Sequence, residues 1–150
     1  MDEFPVTVPT FVAAVYDFRD GGIASATFSF DSPLVRVGVL EIAGSEATMA
    51  LPDPNRFGGD IRLIGPGEQD RVSTSAPAGR AGRGIGVLDM ARTIRGGGRH
   101  RATGALALHV LDAMVATAES IDIAAFVRVH SSLEPVAPLP VDWDPVALTV

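Results

Sequence analysis

The residues with chemistry to offer gather in a few places along this 150-residue chain. The run Gly82-Arg83-Gly84-Ile85-Gly86 opens a predicted helix, where unpaired backbone N–H groups and the helix dipole attract anions. A dinucleotide cradle needs G-x-G-x-x-G between a strand and a helix. Here the third glycine falls on Val87 when counted from Gly82, and on Asp89 when counted from Gly84. The run therefore reads as a helix start rather than a nucleotide fingerprint. Residues 95–101 (RGGGRHR) form a basic patch suited to an anion, although cations beyond a helix C-terminus also complement its dipole, and that second reading leads. His100, His109 and His130 fall on different predicted elements without H-E-x-x-H spacing, which argues against a metal site. His109 lies beside an apolar stripe, where a hydrogen-bonded, part-buried imidazole is expected. Asp89 and Asp112 are expected on the solvent side of two helices, with Arg92 a possible partner. There is no G-x-S-x-G and no arrangement of serine, histidine and aspartate in the sequence that reads as a catalytic triad.

Composition narrows the chemistry further. All 12 basic residues are arginine, so Schiff-base and Walker-type lysine chemistry is excluded for this polypeptide. With no cysteine, disulfides and thiol nucleophiles are excluded as well. The net charge of −6 disfavours a non-specific nucleic-acid binder. A hydrophobic fraction of 47% argues against disorder, and the length suits one domain. No run approaches the roughly 18 uninterrupted apolar residues of a membrane span, and the acidic MDEFP start is unlike a signal peptide. The expectation is a cytoplasmic protein that does not engage membrane or nucleic acid.

The elements that must position these residues begin with strands. Residues 8–18 lead through Arg19-Asp20-Gly21-Gly22 into residues 23–30, which alternate Ala24, Ala26, Phe28 and Phe30 against Ser25, Thr27 and Ser29. Residues 34–43 and 47–51 read as a third and fourth strand. Pro52-Asp53-Pro54-Asn55 then ends the pairing, and Asp60–Ile64 with Arg71–Thr74 forms a further hairpin. Residues 75–82 are a connector. A helix over 85–95 carries Ile85, Leu88, Ala91 and either Arg92 or Ile94 on one stripe. A second helix, over 104–122, carries Leu106, Ala107, Val110, Leu111, Met114, Val115 and Ala118, with Thr103 as its N-cap. Residues 126–130 read as a closing strand, and the proline-rich tail over 131–150 as irregular. Strands, then helices, then a returning strand predict an α+β fold: an open, mostly antiparallel sheet with two helices packed on one face. From spacing alone, no autonomous active site is expected.

Several segments in order resemble a known family. Val8-Pro9-Thr10, Gly21-Gly22-Ile23-Ala24 and Ser29-Phe30-Asp31 are followed by Glu41-Ile42-Ala43-Gly44-Ser45-Glu46-Ala47 and Leu51-Pro52-Asp53-Pro54-Asn55-Arg56-Phe57. Arg83-Gly84-Ile85-Gly86, Asp89-Met90-Ala91, Arg99-His100-Arg101-Ala102-Thr103-Gly104 and Ala107-Leu108-His109-Val110-Leu111-Asp112 complete the set. Together, over about residues 4–140, they resemble the C-terminal domain of Gfo/Idh/MocA-type NAD(P)-dependent oxidoreductases. The departures are the missing dinucleotide fingerprint, the missing lysine of the family's E-K-P motif, and Phe11 where many relatives carry the histidine of V-P-T-H. The family's aspartate and histidine of the G-G-x-x-x-D-x-G-x-H segment would lie upstream of Met1.

The resemblance implies that residues 1–150 are a single substrate-binding and dimerisation domain without a Rossmann half. It implies a sugar-like or polyol substrate, and NAD or NADP in the complete enzyme. A homodimer through the open sheet face and a possible separate Rossmann-domain partner are implied as well. It places Arg83, Asp31 and Arg36 near the substrate, and it assigns no catalytic, cofactor-binding or metal residue to this chain, which is expected to be inactive alone. For Asp31 and Arg36 an exposed mutual ion pair is the plainer expectation. Two other readings stand beside this one: a non-enzymatic dimeric association module derived from such a domain, and an unrelated small-ligand-binding α+β domain.

Overall fold

A computed structural model describes residues 5–33, 40–66, 82–140 and 142–147, together with the backbone of 71–74. The chain is α+β with open antiparallel sheets, and it divides into two units, residues 1–36 and 37–150.

The first unit is a hairpin of β1 (Phe11–Asp17) and β2 (Ile23–Ser29). Its register pairs Val12 with Phe28, Ala14 with Ala26 and Tyr16 with Ala24, so one face is wholly apolar. The other face sets Phe11, Ala13 and Val15 opposite Ser29, Thr27 and Ser25. At the turn the Gly21 N–H donates to the Phe18 carbonyl at 2.9 Å, and Gly21 takes a φ of 90°, which a side chain would resist. Both strands are shorter than the runs 8–18 and 23–30 suggest. Residues 5–10 precede β1 without a ladder partner, apart from the Thr10 carbonyl, which accepts the Phe30 N–H at 2.8 Å.

The second unit opens with a four-stranded meander in the order β3 (Leu40–Ala43), β4 (Thr48–Leu51), β5 (Asp60–Ile64) and β6 (Arg71–Thr74). The pairs Leu40–Leu51, Ile42–Met49 and Met49–Leu63 run across one face. Over β3–β5 that face is apolar, and it leaves Ile42 56% and Leu40 45% exposed. The expected residues 34–39 of the third strand, the turn residues 67–70 and the connector 75–81 lie outside the described residues.

Two helices follow: α1 (Ile85–Gly96) and α2 (Gly104–Ile123). The glycines at 96–98 end α1 as expected, with Gly97 at a φ of 79° and its N–H on the Thr93 carbonyl. Thr103 caps α2, its hydroxyl accepting the Leu106 N–H at 3.1 Å, a contact of about 1 kcal/mol. The connector between the helices turns back along α1, so that a Cβ on Gly86 would stand 3.5 Å from the Ala102 Cβ.

The covered face of α1 keeps most of its expected stripe, and that of α2 does not. On α1 the covered positions are Ile85, Gly86, Leu88, Asp89, Arg92 and Thr93, whereas Ala91 is exposed and Ile94 is 77% exposed. On α2 they are Leu106, His109, Asp112, Ala113, Ala116, Thr117 and Ser120, the small and polar side of the helix. Its apolar stripe lies open at Val110, Leu111, Met114 and Val115. By length and composition α2 qualifies to cross a membrane, with mean hydropathy 1.3, a property that core helices share. Residues 126–130 form no strand. At their end the N–H groups of His130 and of the following Ser131 donate to the Asp112 carboxylate on α2 instead of to a neighbouring strand.

Candidate functional site

The loop joining β4 to β5 and the start of α1 meet through Arg83. The loop is shaped by its own side chains: Asp53 Oδ1 accepts the Asn55 N–H at 2.9 Å, and the Asp53 carbonyl accepts the Arg56 N–H at 2.9 Å. Gly59 closes it at a φ of 138°. A Cβ there would stand 2.5 Å from the Pro52 Cβ, so only glycine fits. Arg83 Nη2 donates to Asn55 Oδ1 at 3.3 Å. Arg83 is exposed and immediately precedes Gly84, the N-cap of α1, which offers no side-chain cap and a φ of 90°. The first turn of α1 holds no acidic residue. A guanidinium with donors to spare beside an uncapped helix start suits a substrate carboxylate or hydroxyl. Arg56 Nε stands 3.7 Å from Asp53 Oδ2 on the loop surface, an exposed contact of little energetic weight.

Asp31 belongs to the other unit. Its carboxylate accepts a hydrogen bond from the Thr10 hydroxyl, and its own N–H donates to Ser29 Oγ at 3.2 Å. Asp31 thus closes the open end of the hairpin by local hydrogen bonds. Arg36, and with it the expected Asp31–Arg36 pair, lies outside the described residues. Of the three candidate positions, Asp31 joins the neighbouring Val8-Pro9-Thr10 segment within the hairpin, and Arg83 joins the L-P-D-P-N loop to a helix start.

The structure assembles one constellation that the linear spacing hides. His109 and Asp112, three residues apart on α2, both face Ser131 of the tail. His109 Nδ1 lies 2.8 Å from Ser131 Oγ, and Asp112 Oδ2 accepts the Ser131 N–H at 2.7 Å and the His130 N–H at 3.0 Å. The backbone N–H of Ser131 above all, then its hydroxyl, with lesser help from the His130 N–H, hold the Asp112 carboxyl below its ordinary value against the opposing effect of desolvation. The three residue types match a catalytic triad, but the roles do not. The hydrogen bonds of the aspartate go to the serine backbone, not to the imidazole, so it does not hold the imidazole as a general base. The contacts bind the tail to α2.

Asp89 also departs from expectation. It is 6% exposed, and its partner is Arg101 rather than Arg92: Oδ1 stands 2.6 Å from Arg101 Nη1, and Oδ2 accepts the Arg101 N–H at 2.8 Å. The other Arg101 donors reach the carbonyls of Ala137 (3.0 Å) and Pro138 (3.1 Å). Arg92 instead binds the carbonyls of Asp144, Pro145 and Ala147, and lies 4.8 Å over the Trp143 ring. No group of three or more histidine or acidic residues suited to a metal occurs among the described residues.

No protein-family model matches the chain, no curated protein matches it in sequence, and no solved structure matches it in fold.

Proposed function

We propose that the chain is the substrate-binding and association half of an NAD(P)-dependent dehydrogenase of the Gfo/Idh/MocA type, acting on a sugar-like or polyol substrate. The observation that carries this reading is the Arg83–Asn55 hydrogen bond. It joins, across 28 positions, two of the segments on which the resemblance rests, the L-P-D-P-N loop and the R-G-I-G helix start. In this reading Arg83 orients a substrate hydroxyl or carboxylate. The dinucleotide-binding domain and the E-K-P lysine would be supplied by polypeptide outside these 150 residues. The nicotinamide would accept or donate hydride at the substrate carbon, and this chain's own residues would bind and orient the substrate.

The apolar face of β3–β5 supports self-association, since Leu40 and Ile42 lie open on it. The same face favours the second reading, a dimeric module without catalysis. The two separate on one experiment. A Rossmann domain from such a dehydrogenase is supplied in trans or fused ahead of residue 1, and turnover is followed by nicotinamide absorbance across a panel of sugars and polyols. Arg83→Ala is expected to lower kcat/KM about tenfold or more without changing the melting temperature, because an exposed arginine contributes little to the fold. Equal turnover in wild type and variant, or a melting temperature that falls with activity, makes Arg83 structural. Absence of turnover on every substrate favours the association module.

A further inference from the structure

We infer that the cleft between the α1–α2 connector and tail residues 132–137 binds a small amphipathic oxyanion, a carboxylate or phosphate carried on an apolar body. The cleft has a volume of about 740 Å³, within the range of small-molecule sites. Its lining includes none of the residues of the Arg83–Asn55 contact, and the inference does not rest on the dehydrogenase reading.

Both walls are held by one side chain. Arg101 ties the connector to Asp89 on α1 and, through the Ala137 and Pro138 carbonyls, to the tail. With these contacts its charge is answered and its donors are directed, so Arg101 builds the cleft and is not the group that recognises a ligand. Arg99 is the contrasting neighbour. It lines the same cleft, is exposed, and makes no hydrogen bond or ion pair with the described residues. The basic run 95–101 therefore divides its labour: Arg95 occupies the last turn of α1, Arg101 is structural, and Arg99 has a charge to spend.

Two further groups favour an oxyanion on the Arg99 side. His100 lines the cleft with its Nδ1 enclosed and without a hydrogen-bond partner. The imidazole therefore carries hydrogen-bonding capacity that the fold does not use. Thr103 and Ala105, at the start of α2, also line the cleft. The Thr103 hydroxyl is engaged by Leu106, whereas the Ala105 N–H belongs to the first turn, which has no partner within the helix. The opposite wall is apolar: Leu133, Pro135, Val136 and Ala137. Glu134 is its single acidic member and opposes an anion there. A charged head at Arg99 with an apolar body against Leu133 and Val136 satisfies both walls. A bare inorganic anion would leave the second wall unused.

Isothermal titration of the full chain with phenyl phosphate, benzoate, phenol and inorganic phosphate tests this. Phenyl phosphate or benzoate is expected to bind saturably, and whichever binds more tightly identifies the head group. Inorganic phosphate and phenol are each expected to bind more weakly than that ligand. Arg99→Gln is expected to weaken binding about tenfold, the effect of removing a charge-assisted hydrogen bond, with an unchanged circular-dichroism spectrum. Glu134→Gln is expected to tighten it, an effect that damage to the fold would not produce. The inference is overturned by absence of saturable binding at millimolar ligand, by phenol binding as tightly as phenyl phosphate, or by an affinity that Arg99→Gln leaves unchanged.

Discussion

The two flanks of α2 follow opposite rules. The flank facing the tail is small and polar, and its contacts are directional: His109 to Ser131, and Asp112 to two backbone N–H groups. The flank carrying Val110, Leu111, Met114 and Val115 is apolar and stands open, with Met114 58% exposed. Ala116 is the single apolar residue among the described ones that is buried, so within this chain the helices are fixed to the tail by specific polar partners more than by a packed core. Directional contacts choose one partner each, whereas an apolar stripe accepts any complementary surface. The contrast assigns the polar flank to the internal order of the unit and leaves the apolar flank open.

The largest effect is expected where a charge is buried. Arg101→Leu strands the Asp89 carboxylate at 6% exposure, and should cost about 3–5 kcal/mol in urea unfolding followed by circular dichroism. The double variant Asp89→Leu/Arg101→Leu should recover much of that loss, because no unpaired charge remains. A single-variant loss below about 1 kcal/mol would place the polar contacts on the same footing as ordinary surface ion pairs and end the contrast.

A smaller effect is expected from acid. The carboxyl of Asp112 is held below its ordinary value in the folded chain, so its contribution to stability is present above the unfolded value of about 3.9. That contribution is lost as pH falls through the still lower folded value. Hydrogen exchange at the His130 and Ser131 amides should therefore accelerate, relative to amides of α1, on acidification below about pH 4. Asp112→Asn should exchange faster at neutral pH and lose this acid step. Identical profiles in both proteins would show that the tail is held by other contacts.

The smallest effect is expected on the open flank. Leu111→Ser, at a residue 52% exposed, should change unfolding free energy by no more than about 0.5 kcal/mol in dilute protein. Light scattering across a concentration series should show weaker self-association if a second copy covers this flank. A loss of 2 kcal/mol or more at high dilution, of the order seen for core truncations, would mean that the apolar flank is already packed within the chain.

The parts legible in the sequence are those governed by neighbours along the chain. Alternation and the Asp20-Gly21-Gly22 turn locate the β1–β2 hairpin. The turn residues Gly65-Pro66-Gly67 point to the β5–β6 pairing, and Thr103 marks the start of α2 because a cap is a local device. What the sequence conceals is set at longer range. Asp89 reads as a solvent-facing helix residue until the connector folds back and brings Arg101, 12 positions on, against it. The strand expected at 126–130 has the right composition, but a strand needs a ladder, and at its end Asp112 takes the His130 N–H and that of the following Ser131. The α2 periodicity identifies a helix without saying which side is covered, and the covered side is the one with hydrogen-bonding partners. Of the candidate site, Arg83 is readable as a helix-start residue, but its link to Asn55 depends on how the β4–β5 loop closes over Gly59.

The tail contacts also determine how the chain meets a protease. Trypsin cleaves after lysine and arginine, and this chain contains arginine only, so every tryptic site is also a potential member of a structural contact. The side chains of Arg92 and Arg101 are engaged by carbonyls of the tail and are closed to a protease pocket while the tail is docked, whereas Arg99 offers an exposed side chain in the connector between two helices. Limited digestion would therefore nick the folded chain after residue 99 before it cuts at 92 or 101. The order of cleavage becomes a clock for tail release.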